Sequence, residues 1–432
     1  MRVFLGCGDI ASFLTRLAPA LGRHKEIKNC YLFSTRLHPH YANPYQSEDS
    51  SFTLVFKRLV ISLVALTHTK IGRTVGAPFI AASWLLLRLA IVIWAVFKVD
   101  VFLFVSGKSL LPFGLDARLF RRLGKRVVHV YLGTSSRPRF MSARWEKKFG
   151  TPESKKWLKK LEKRISRQVK RLRSNGRSAD VVIDNPLCGH YHTSSFVDWF
   201  HVGFPGKTDQ GNVIFSAPDL TVDSVRILHC PSVPRIKGSF EIGEIIEELK
   251  KEGYSIEFIQ LTGVPRARVL EEIRQCDFVI DQLYSDSPLA GFASEAAELG
   301  KMAIVGGYGW HALERWMPNG MPNRGLCEPS DLKRVLKNLI EARSLLPGYG
   351  KEAFDFADGY WKENKVADRV VRIMQDDIPD DWFCDPSDLD YYMGLGADKE
   401  HRLRVIHALI EQCGPESLGP VSDKLLRAVR IQ

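Results

Sequence analysis

The alternation of apolar and polar positions divides the chain into two series of strand and helix. Residues 1–5 form a short continuous apolar run. A glycine turn, Gly6-Cys7-Gly8-Asp9, follows, and then apolar residues at Ile10, Phe13, Leu14, Leu17 and Leu21. That spacing marks one face of a helix over 10–21. Strand, glycine turn and helix open a doubly wound domain. Uninterrupted apolar runs at 30–33, 99–105, 126–132 and 181–183 predict parallel strands covered on both faces. A second series predicts strands at 225–229, 255–261, 277–281 and 302–305, alternating with helices at 241–252, 266–275 and 291–299. A stretch rich in Gly, Pro and polar residues, starting at 203–212, separates the two series.

The expected architecture is α/β. A Rossmann-like domain over 1–206 precedes a second over 207–375, whose closing helix (353–374) crosses back to the first. An extension over 376–432 follows. Its first part, 376–390, holds seven Asp and no base, and helical patterns lie at 399–412 and 421–429.

Composition adds little until charge is located. The 432 residues are 45% hydrophobic and 25% charged, which excludes a disordered chain. The net charge is +12, and residues 137–177 alone hold 16 Lys or Arg against three Glu. Within them, Trp157, Leu158, Leu161, Ile165, Val169 and Leu172 form one apolar stripe of a basic helix over 153–173. Three readings stand: a helix lying on an anionic membrane, a nucleic-acid contact, or a helix docked through its stripe. No stacking-aromatic array accompanies the charge, so the expectation is a membrane surface and no nucleic acid.

The apolar run at 77–99 is long enough to span a bilayer, but Arg88 near its centre would cost about 2.5–3.5 kcal/mol there. It reads as a core helix entering a strand. The eight cysteines form no C-x-x-C pair, and the opening residues lack the charged start and long apolar core of a secretory signal. The expectation is a cytoplasmic protein with reduced thiols, peripheral on the inner face of the membrane.

Several short motifs carry candidate chemistry. Lys237 and Gly238 end a strand and enter a helix, where backbone N–H groups and a lysine favour anions, and Arg235 could add a forked phosphate contact. Ser287 to Gly291 form the loop before a helix that carries Glu295. Gly306-Gly307-Tyr308-Gly309 follows the next strand, where glycines permit close approach of a ligand.

The segments 229–238 and Glu295-Ala-Ala-Glu-Leu-Gly-Lys-Met-Ala-Ile-Val305, with Gly107-Lys-Ser-Leu-Leu, Asp116 and 123–128 in the first domain, resemble the GT-B glycosyltransferases of the family 4-like group. The resemblance covers about residues 1–375. It implies two tandem Rossmann-like domains facing a cleft. It implies transfer, of the retaining kind, of a sugar from a nucleotide-sugar donor to a glycan or lipid-linked acceptor in polysaccharide or glycoconjugate synthesis. It also implies no metal and no further cofactor. Lys237, Gly238, Ser287, Gly291, Glu295 and Gly307 would hold the donor, Gly6, Gly8 and Asp9 would face the acceptor side of the cleft, and Arg137, Lys237 and Arg235 would stabilise the leaving diphosphate. The family's catalytic-side histidine and aspartate fall on Leu132 and Ser135, its arginine before the lysine on Ser232, and its first paired glutamate on Ser287, beside Asp286. Those departures keep two alternatives open: a sugar-nucleotide epimerase of the same fold, and a binding subunit that has lost turnover.

Overall fold

The computed structural model describes residues 1–33, 77–143, 154–206, 224–318 and 320–430. Most of the stretch expected to join the two units lies outside the described residues.

The first sheet has seven strands in the order β12-β6-β5-β4-β3-β1-β2. The strands are β1 Arg2–Gly6, β2 Asn29–Leu32, β3 Val101–Val105, β4 Arg126–Val130, β5 Val181–Asp184, β6 Phe196–Asp198 and β12 Phe383–Cys384. All pairs are parallel except β6 with β12. Alternation explains the continuous apolar runs. Val3, Leu5, Val101 and Leu103 enter the core that contains the Phe13–Arg23 helix, while Phe4, Phe102 and Phe104 enter one shared with the Ala77–Lys98 and Leu115–Arg122 helices. Phe102 stacks on Phe120. The 77–98 segment thus docks one of its faces on the sheet, and no helix among the described residues is long and apolar enough to cross a membrane.

The second sheet has five parallel strands in the order β11-β10-β9-β7-β8: β7 Val225–His229, β8 Ile256–Gln260, β9 Phe278–Ser285, β10 Ala303–Gly307 and β11 Leu326–Cys327. In both sheets the strand order reverses beside the first strand, between β1 and β3 and between β7 and β9. Such reversals leave a crevice at the carboxyl ends of the strands.

The predicted closing helix is broken. Helix Leu346–Phe356 ends in a wide turn at Ala357–Trp361, and helix Glu363–Met374 then packs on the first domain. There His24 and Asp368 lie 3.3 Å apart and Arg126 donates to the Ile373 carbonyl at 3.0 Å. The extension is integral. Its β12 joins the first sheet, and its Lys399–Cys413 helix packs on the basic helix, Lys155–Ser178. The stripe of that basic helix (Trp157, Leu158, Leu161, Ile165, Leu172) is buried in the core. The membrane reading of residues 153–173 through an inserted stripe is therefore corrected: intramolecular docking takes the apolar surface, and only the charged faces remain outward. The two sheets, their facing crevices and the returning helix constitute a GT-B fold.

A cleft at two chain reversals

The crevices meet in a cavity of about 290 Å³. One wall comes from the first domain: Ile10 and Ala11 after β1, Leu132 to Thr134 and Arg137 after β4, and Asn185 after β5. The other comes from Ser232, Val233, Ile236 and Lys237 after β7 and from Gln282, Asp286, Ser287, Leu289, Ala290 and Gly291 around the end of β9. Leu395 of the extension completes it.

Two charged pairs dominate the walls. The Arg137 guanidinium binds Asp286 across the cleft, with both side chains buried. Among the described residues its Nη1 has no hydrogen-bond partner. The Asp286 carboxylate also accepts from the Cys188 thiol at 3.6 Å, and its carbonyl from Asn185 at 3.3 Å. Burial pushes the Cys188 thiol far up, so it is a neutral donor there. On the second wall, Lys237 Nζ lies 2.8 Å from Asp281 Oδ1, and Asp281 Oδ2 has no partner among the described residues. The turn holding Lys237 depends on Gly238. Its φ is +70°, and a Cβ there would fall 2.6 Å from the Leu283 side chain. His229, at the end of β7, is fixed by the Ile280 carbonyl and by Ser239 Oγ, both at 2.7 Å. Burial lowers its pKa, so it serves as a neutral strut.

A third group ties the domains together behind the cleft. Arg16, on the Phe13–Arg23 helix, donates to Glu295 at 2.7 Å and to Glu298 at 3.1 Å, and Arg266 donates to the same Glu295 oxygen at 2.7 Å. The Arg16 guanidinium also lies over the Phe204 ring, 5.1 Å from its centroid.

The structure brings together part of the expected site. Lys237, Ser287, Gly291 and Arg137 line one cavity. Glu295 does not line it; its carboxylate is engaged by two arginines. Arg235 donates to the Ala143 carbonyl at 2.9 Å, joining the domains. Asp9 accepts from the amides of Leu14 and Thr15 at 2.9 and 3.2 Å and so caps a helix. Gly6 and Gly8 precede the lining residues of their turn, and Gly6 lies against the Phe33 carbonyl. Gly307 is pressed against the Ser285 carbonyl and the Trp310 ring, a sheet contact. Sequence reasoning missed Asp286 as the partner of Arg137, and it missed Arg16. Asp286 had a signal, its place beside Ser287; Arg16 had none.

No family model and no curated protein matches the chain. Solved structures do. MnaA of S. aureus with UDP matches at TM-score 0.43 and 12% identity, over 87% of this chain and 97% of that one. HepE of Anabaena with UDP and glucose matches at 0.42 and 12%, over 87% and 99%. Sucrose-phosphate synthase of Thermosynechococcus elongatus matches at 0.49 and 11%, over 87% and 98%. At these values the likeness does not transfer an activity, and the fold rests on its own strand order.

Proposed function

We propose that the protein is a glycosyltransferase that moves a sugar from a nucleotide-sugar donor. The observation that carries this reading is the meeting of Arg137 and Lys237 in one cavity at the chain reversals of two Rossmann-like sheets. A diphosphate is the anion that this arrangement suits. Lys237 supplies a point charge, and the N-terminus of the Gly291–Glu298 helix supplies backbone amides and the positive end of its dipole. Arg137 approaches from the opposite wall with Nη1 available to the leaving phosphate. Charge aimed at a leaving group contributes a factor of about 10²–10³ per donor. The leaving phosphate takes the acceptor proton, and transfer is retaining, without a metal.

The cavity of about 290 Å³ lies at the lower end of ligand pockets, roughly 300–1,000 Å³. Donor entry therefore parts Arg137 from Asp286 and widens the cleft. A ribose contact by Glu295 requires that carboxylate to exchange a guanidinium for hydroxyls. The engagement of Glu295 by Arg16 and Arg266 favours a second reading, a binding subunit that keeps the cleft closed. The acceptor in the main reading is a glycan on a membrane-linked carrier at the inner face of the cytoplasmic membrane. Incubation with a panel of nucleotide sugars separates the readings. Transfer or hydrolysis supports the transferase, binding without turnover supports the subunit, and neither binding nor turnover removes both.

A further inference from the structure

One face of the first domain has no task in sugar transfer. The Ala77–Lys98 and Leu115–Arg122 helices bury Leu87, Ile91, Ala95, Ala117 and Phe120 in a common core against the sheet. The outward side of the longer helix is apolar, where a solvated helix would be polar, and that of the shorter one mixes Leu115 and Leu119 with Arg118, Arg121 and Arg122. Leu85, Leu89, Ile93 and Phe97 recur every four residues and so lie one above another, with Leu86 beside them. Leu86 is 66% exposed, Ile93 63% and Phe97 70%. The shorter helix adds exposed Leu115 and Leu119, followed by exposed Leu123 and preceded by Phe113 at 84%. Single exposed apolar side chains are ordinary; a contiguous row of them marks an interaction surface.

The charge on and beside the shorter helix indicates the partner. Arg118, Arg121, Arg122 and Arg177 line a surface pocket of about 560 Å³. Arg118 donates to Ser174 at 2.7 Å and Arg121 to the Arg177 carbonyl at 2.9 Å, which fixes the shorter helix beside the Lys155–Ser178 helix. That helix carries eleven Lys or Arg against one acid, Glu162. We infer that this face rests on an anionic lipid surface, with the apolar row in the acyl boundary and the arginines at headgroup phosphates. An apolar strip bordered by basic residues is the pattern of an interfacial element. The inference deepens the membrane-linked acceptor and relocates the contact. The basic helix supplies charge, and its neighbours insert.

The test is flotation of the full chain with vesicles of phosphatidylcholine, with and without one-third phosphatidylglycerol, at low salt. The unaltered protein floats with the anionic vesicles. Combining Leu86→Gln, Ile93→Gln and Phe97→Gln lowers partitioning by roughly a hundredfold or more. Combining Arg122→Gln and Arg177→Gln lowers it about thirtyfold, on anionic vesicles only. Thermal midpoints and UDP binding of each variant check its folding. Hydroxyl-radical footprinting of the unaltered chain, where vesicles should shield 85–97 and 113–123, needs no variant. Absence of flotation, equal flotation of all variants, or unshielded footprints overturns the proposal. So does a stable dimer lost in the triple variant, which assigns the row to a second copy, or retention on nucleic acid without flotation. Flotation without any nucleotide binding strikes the transferase reading alone.

Discussion

Replacing Arg16 by Met tests how the two domains are held around the cleft. Arg16 is 5% exposed and binds two carboxylates that are as deeply buried. Removing one partner of such a group costs about 3–5 kcal/mol, because charge is left buried without compensation. Arg266 still serves Glu295, which sets the expectation near the lower end, about 3 kcal/mol. The Met side chain replaces the aliphatic stem against Phe204, so the loss reports charge pairing rather than a cavity. Arg23 on the same helix supplies the control. It also reaches a second-unit carboxylate, Glu363, but is 65% exposed, and Arg23→Met should cost at most about 1 kcal/mol. Urea unfolding of both variants measures the difference. Equal losses, or a loss under about 1 kcal/mol for Arg16→Met, would refute the assignment of Arg16 to a buried interdomain ion pair.

Three further outcomes follow from single observations. Burial, and then the nearby His192, push the His129 pKa down to about 4. Because the folded value lies below the unfolded value of about 6.5, the stabilisation is complete above pH ~6.5 and is lost as pH falls toward 4; the loss is about 3 kcal/mol. His129→Leu should flatten that acid limb in melts at pH 4–7, and an unchanged limb contradicts it. Gly238→Ala should destabilise by at least about 1–2 kcal/mol in thermal unfolding, from its left-handed φ and the contact with Leu283. Arg137→Ala should lower turnover of an active nucleotide sugar by a factor of about 10²–10³, while Asp286→Asn, which frees the guanidinium, lowers it less.

The alternation of strands and helices was legible because parallel strands buried on both faces leave unbroken apolar runs. The strands at 1–5, 126–132 and 225–229 all reappear, as β1, β4 and β7. β6, β11 and β12 were not legible. They have two or three residues, and their pairing depends on partners far away in sequence, as when Phe383 meets Val197. The stripe of the basic helix was visible, but not its destination, because the helix that covers it lies more than 200 residues later. The cleft residues after β7 and β9 announced themselves through turn chemistry. Arg16 did not: an arginine on a helix reads as solvated, and its carboxylate at Glu295 is 279 residues away.

In the proposed function, Lys237 and Arg137 face a diphosphate. Calorimetric titration of the protein with a panel of nucleoside diphosphates tests it most directly. One site per chain is expected for at least one of them, weakened at least about tenfold by Lys237→Ala and by Arg137→Ala. Saturable binding that neither substitution alters, or no binding across the panel, would contradict it.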